Sequence, residues 1–189
     1  MKQATDEDAP IQTERMALTI RLVSAAELDA LIPTLVELFR DTVNGGSALG
    51  FVPPVTREQA REYWRSLGPS LRAGSRLLLA AYNDDGIIGS VQLNFPPWPN
   101  ARHRAEVQKL FVAPALRGQG VGRALMLALH NVARARGRSL LLLNTKHGGP
   151  AEGFYKELGY REIGVIPGYA IGPTGDRYAD VALYQELVP

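Results

Sequence analysis

Apolar positions along this chain fall into short periods that switch between two and about 3.6 residues, the spacings of strands and helices. Residues 17–23 alternate well enough for a first strand, and Ser24 follows where a helix N-cap belongs, with Glu27 at capping-box spacing. Leu28, Leu31, Leu35 and Leu38 then recur at helical intervals. Pro33 is expected to kink or split that helix, and Asn44, Gly45 and Gly46 to end it. Thr56 caps a second helix that carries Trp64 and Leu67 on one face. Residues 76–82 and 87–94 form a hairpin about the turn Asn83-Asp84-Asp85-Gly86, and 103–112 is the next strand. The clearest helix is 120–136, striped by Val121, Leu125, Leu129 and Val132 and closed by Gly137. Residues 139–145 are Leu-rich with no polar face, which predicts a strand buried on both sides. A short helix over 150–158 has Pro150 in its first turn and Gly159 past its end, and strands near 161–166 and 181–187 follow. Residues 1–16 are polar, acidic and aperiodic, so they are expected to be a flexible tail ahead of a single domain over 17–189.

This order is one strand, two helices, an antiparallel run, then strand–helix–strand–helix and a final strand pair, an α/β (α+β) arrangement. The 103–145 unit predicts a right-handed crossover between parallel strands. Composition narrows the function. A hydrophobic share of 46% with 21% charged residues is that of a folded globular chain. A net charge of +2 gives no nucleic-acid footprint, and Arg134, Arg136 and Arg138 suit a helix C-terminus. The absence of cysteine removes disulfides, thiolate zinc sites and a thiol nucleophile. His103, His130 and His147 lack the spacing of a helical metal motif, so no metal is expected. No secretory signal or membrane-length apolar run is visible, which makes the cytoplasm the expected compartment and a membrane partner unexpected.

The chemistry gathers between the 103–112 strand and the 120–136 helix, in Arg117-Gly118-Gln119-Gly120-Val121-Gly122-Arg123. A helix start has unpaired N–H groups and a positive dipole end, and glycines there let an anion approach the backbone. Arg117 and Arg123 can add charge-assisted bonds. A Walker loop fails, because Gly122 is followed by Arg123-Ala124 and not by Lys-Ser or Lys-Thr. A dinucleotide fingerprint fails as well, because Arg123 or Leu125 occupies the place of its last glycine. A glycine-rich helix start that serves packing alone is the remaining rival.

The pattern Arg-x-x-Gly-x-Gly after a strand ending Val-x-Pro, followed downstream by Phe154-Tyr155-Lys156-Glu157-Leu158-Gly159-Tyr160, resembles the GNAT superfamily of N-acetyltransferases. The resemblance implies a mixed, mostly antiparallel sheet flanked by helices, with two central parallel strands splayed apart. It implies acetyl-CoA as cosubstrate, with Leu110, Phe111 and Val112 pairing to pantetheine and Arg117, Gly118, Gln119, Gly120, Val121, Gly122 and Arg123 holding pyrophosphate. Asn144 also falls on the cofactor side. Thr42-Val43-Asn44-Gly45-Gly46, the run from Arg104 to Leu110, and Pro167-Gly168-Tyr169 look like segments of tabtoxin-resistance acetyltransferases, which act on an amino-acid-like toxin. Two departures stand out. Gly148 replaces an asparagine common in the family, and Asn144 stands where the tabtoxin-resistance pattern has aspartate.

Acetyl transfer requires an amine to lose a proton, a negative oxygen to be held and a thiolate to gain a proton. The resemblance places Tyr155 at the sulfur as the acid. Helical geometry sets it off the stripe of Ala151, Phe154 and Leu158, so it is not needed for that core face. Glu106 is the candidate base, sharing strand parity with Gln108, Leu110 and Val112; its rivals are a surface pair with Arg104 or Lys109 and a proton path through water. A backbone N–H near Leu110 can hold the oxygen. The acceptor pocket is expected from the 44–51 and 167–180 loops, with Phe51 and Tyr169 over it. The expectation is an N-acetyltransferase for a small-molecule primary amine. The alternatives are a peptide or protein amine acetyltransferase and a non-catalytic CoA-binding regulator. No residue pattern selects a homodimer, the oligomer considered.

Overall fold

The computed structural model describes residues 17–47 and 49–187, and the flexible-tail expectation for 1–16 falls outside them. Along the described chain, β1 (Thr19–Val23) leads to α1 (Leu28–Asn44), α2 (Arg57–Ser66) and a five-residue α3 (Gly68–Arg72). The hairpin β2 (Arg76–Asn83) and β3 (Gly86–Asn94) and then β4 (Arg104–Val112) follow. Next come α4 (Val121–Ala135), β5 (Leu140–Lys146), α5 (Pro150–Glu157), β6 (Arg161–Ile171) and β7 (Arg177–Glu186). The strands make one sheet ordered β1-β2-β3-β4-β5-β7-β6. Every neighbouring pair is antiparallel except β4–β5.

Strand alternation sends side chains to two cores, one on each face of the sheet. Leu77, Leu79, Leu141 and Leu183 pack with Leu125 and Leu129 of α4. On the other face, Leu78, Ala80 and Phe111 pack with Phe39 of α1 and Trp64 of α2. Phe39 is the hub of that face, stacked on Tyr63 at 5.3 Å between centroids and edge-on to Trp64 at 5.9 Å and Phe111 at 5.7 Å. Thr56 caps α2 through a complete capping box with Gln59.

Several sequence expectations change. Ser24 and Glu27 do hydrogen-bond reciprocally, but they close a turn, and regular helix begins at Leu28. Pro33 lies inside an unbroken 17-residue α1. The presumed 167–180 loop is mostly strand: β6 runs on to Ile171 and β7 starts at Arg177, with a register shift between Ile166 and Ala170. Pro167 and Gly168 fit there because β6 is an edge strand, where a missing N–H and a local bend are tolerated. β5 is not buried on both sides either: Leu141 and Leu143 are buried, whereas Leu142 is half-buried and lines an opening in the sheet.

On the buried side of α4, His130 places Nε2 3.2 Å from the Tyr160 hydroxyl. Burial, with help from Arg134, lowers its pKa from 6.5 to about 4. Between those values the unfolded chain takes up a proton that the folded chain refuses, so stability falls as pH drops through that window. Urea denaturation from pH 7 to pH 4 should show a loss of up to about 3 kcal/mol that His130→Gln largely removes. An unchanged pH profile in the variant would contradict this assignment.

Candidate active site

The parallel pairing of β4 with β5 covers only Arg104↔Leu140, Ala105↔Leu141 and Glu106↔Leu142. Past that point the strands diverge around a cleft of about 850 Å³, lined on one side by Glu106 to Leu110 and on the other by Leu142 to Lys146. A bulge in β4 helps to open it. Register with β3 passes from Gln92↔Gln108 to Ser90↔Phe111, which sets Lys109 and Leu110 together against Val91. Lys109 takes the left-handed conformation at φ 52°. The extra residue inverts the strand's faces. Ala105, Val107 and Val112 therefore share the α4-side core, with Leu110 packed against it, while Phe111 enters the opposite core. This corrects the parity expected for Glu106, which keeps the face of Gln108 but not that of Leu110 and Val112.

Where β4 ends, the chain turns through Gly118 (φ 76°) and Gly120 (φ 83°) into α4. Gly120 is the N-cap and no side chain caps the helix, so its first N–H groups remain available to an anion. A Cβ built on Gly118 or Gly120 would meet nothing within 4 Å, so both glycines face open space and their conformation is what requires them. Arg117 borders the cleft, and its guanidinium donates to Ser47 Oγ at 3.1 Å. Gly118, Gln119, Gly120 and Arg123 lie exposed beside it, and the Val121 side chain is buried under α4.

Tyr155 lines the cleft from α5, yet it is only 8% exposed and belongs to the core, packed on Phe154 at 5.3 Å and Tyr160 at 5.6 Å. The core does need it, contrary to the helical-wheel expectation. The inward side of this short helix carries Glu152, Tyr155 and Leu158, while Ala151 and Phe154 are half-buried. Burial pushes the Tyr155 hydroxyl well above its usual pKa of 10, which keeps it protonated. Glu152 holds the preceding turn. It accepts from the Gly148 N–H at 2.7 Å and from Lys156 Nζ at 2.7 Å, with His147 Nδ1 at 3.1 Å. Lys156, then the Gly148 N–H, lower its pKa to about 2. Gly148 at φ 71° thus serves the turn where the family pattern has asparagine.

At the opposite end, Glu106 lines the cleft, accepts from Gln108 Nε2 at 3.3 Å and lies 3.7 Å from Arg104. Gln108 and Gln92 in turn accept from Arg76 at 3.0 Å and 2.6 Å, and Gln92 exchanges hydrogen bonds with Tyr63. Asn144 and Tyr169, the latter 51% exposed, also border the cleft. Phe51 does not. It joins the aromatic cluster edge-on to Phe39 at 5.1 Å and borders a smaller depression of about 90 Å³. Sequence reasoning missed Asp180 of β7, a cleft residue 8% exposed whose carboxyl burial pushes up. It also missed the part-buried Lys109. Strand alternation through 177–186 was the one available signal for Asp180.

The description "Acetyltransferase (GNAT) family" is that of a family model matching residues 37–160. Streptothricin acetyltransferase of Streptomyces lavendulae is 32% identical over 116 residues, 61% of this chain and 59% of that protein. L-methionine sulfoximine/L-methionine sulfone acetyltransferase of Pseudomonas aeruginosa is 26% identical over 172 residues, 90% of this chain and 94% of that one. A solved structure, a GCN5-related N-acetyltransferase from Kribbella flavida, is 28% identical at a TM-score of 0.72, covering 90% of this chain and 98% of that one. For the first curated relatives, the matched stretch spans 59% to 62% of their length.

Past the bulge, β3 and β4 approach closely at the Gly89–Val112 pair. A Cβ on Gly89 would stand 2.7 Å from the Phe111 carbonyl oxygen and 3.3 Å from Val112 Cα, both backbone. Gly89→Ala should therefore force β3 and β4 apart and cost about 1–3 kcal/mol in chemical denaturation. An unaltered denaturation midpoint would show that this contact is not tight.

Proposed function

The chain belongs to the acetyltransferase (GNAT) family, and from that premise we propose that it transfers the acetyl group of acetyl-CoA directly to a primary amine of a small, amino-acid-like molecule. The observation that carries the reading is a cleft between parted parallel strands that reaches Arg117, beside a glycine-opened helix start. Bare main-chain donors and a guanidinium fit a diphosphate, and the edge of β4 beyond Glu106, which has no β5 partner, fits an amide-bearing arm at Leu110 to Val112. Acetyl-CoA supplies a thioester carbonyl open to attack by an amine.

The chain's own groups then divide the proton work. Tyr155, buried and held protonated, donates a proton at the sulfur. A backbone N–H at the Lys109–Leu110 bulge holds the negative charge at the carbonyl oxygen. Glu106, on the acceptor side, takes the proton of the amine directly or through water. Asn144 sits at the cleft edge on the facing strand. The amino-acid-like acceptor rests on the tabtoxin-resistance likeness and on the methionine sulfoximine relative, whose alignment runs over 90% of this chain. The streptothricin relative supports the wider class of small-molecule amines.

Thiol release from acetyl-CoA across a panel of amines should be detectable, and Tyr155→Phe should lower kcat about 100-fold with little change in acetyl-CoA affinity. Unchanged turnover would remove the acid role. Gly120→Asp places a like charge where the diphosphate is proposed to sit and should weaken acetyl-CoA binding at least about tenfold by calorimetry. Normal binding by that variant would discredit the phosphate loop.

A further inference from the structure

The geometry points to an anion subsite at the acceptor end of the cleft, built on the Lys109 ammonium with the Arg76 guanidinium behind it, that takes the carboxylate of an α-amino-acid acceptor. The inference rests on the acetyl-transfer reading and names the part of the acceptor that is held away from the reacting amine.

Lys109 borders the cleft, and its side chain is held in place from three directions. Nζ donates to the Leu49 carbonyl and lies 5.6 Å and 5.7 Å from the ring centroids of Phe51 and Tyr63. The loop crowds it closely: a Cβ on Gly50 would stand 2.7 Å from Nζ. An ammonium has three hydrogens, and Leu49 takes one of them. Arg76 donates to the oxygens of Gln92, Gln108 and Asn94, and its Nε is buried without a partner. Neither cation has an acidic partner among the described residues.

Part-buried charges are ordinarily paired, so two neighbouring unpaired cations leave a local excess of positive charge. Burial and then Arg76 hold the Lys109 pKa below its usual value. An anion at Nζ would offset both effects. Carboxylates stand elsewhere on the cleft lining, Glu106 on β4 and, across the gap, Asp180 on β7 beside Lys146 of β5. The cleft is therefore bipolar. Its positive corner suits a carboxylate, and its acidic positions suit an ammonium that must lose a proton before attack. A zwitterionic amino acid matches both ends, whereas a simple amine matches one.

The test uses the CoA-saturated protein and three acceptor pairs: L-methionine sulfone, L-phenylalanine and L-lysine, each against the amine left when its carboxylate is removed. In calorimetry the wild type should bind at least one carboxylated member about 10- to 100-fold more tightly than its amine. Lys109→Gln should reduce that preference to less than about threefold while still binding acetyl-CoA. A wild type with no preference in any pair, or a Lys109→Gln variant that keeps it, overturns the subsite. Thiol release assayed on the same pairs separates the two readings. Turnover without carboxylate preference leaves acetyl transfer standing and removes the subsite, whereas preference without thiol release from any amine counts against acetyl transfer alone.

Discussion

A strand needs partners for its main-chain groups, and β4 has a parallel partner for only its first three residues. Most of the candidate site follows from that shortfall. The strand edge beyond Glu106 must find hydrogen bonds from water or from a guest molecule. β3 continues to support the other edge, so the sheet survives the gap, and the two cores on its faces supply the cohesion that the missing ladder does not. α5 closes the far side with Tyr155, which is at once a core residue and part of the cleft wall. That double duty explains why its hydroxyl is so thoroughly desolvated.

Charge is sorted along the cleft. Arg117 and the bare start of α4 make one end attractive to a polyanion, and Lys109, with Arg76 hydrogen-bonded to Gln108 behind the lining, makes a second, smaller positive region. Glu106 and Asp180 break what would otherwise be a uniformly cationic groove. Such a lining discriminates by where charges fall and not only by their sum.

Much of the fold was legible because periodicity reports burial. The α4 stripe, the hairpin at Asp84 and Asp85, and the strand–helix–strand order were all visible, as was the glycine run that opens α4. What escaped depends on contacts distant in sequence. No local pattern announces that Lys109 adopts a left-handed conformation, and that single residue undid the parity argument for Glu106. Tyr155 was expected off the apolar stripe of α5 but belongs to the core, because helical spacing alone does not say which side of so short a helix faces the sheet. Pro167 and Gly168 resembled a loop, since the chain does not reveal that its strand lies at the sheet edge. Asp180 went unnoticed because 167–180 reads as one loop in the sequence, so the alternation of β7 counts only from Val181.

The bulge divides β4 into two stretches with separate duties. Residues before it turn Glu106 and Gln108 into the cleft, and residues after it anchor both cores. Substitutions within 104–108 therefore alter the cleft lining while 110–112, which enters both cores, stays untouched. Deleting one residue between them, by contrast, would exchange inside for outside along the rest of the strand.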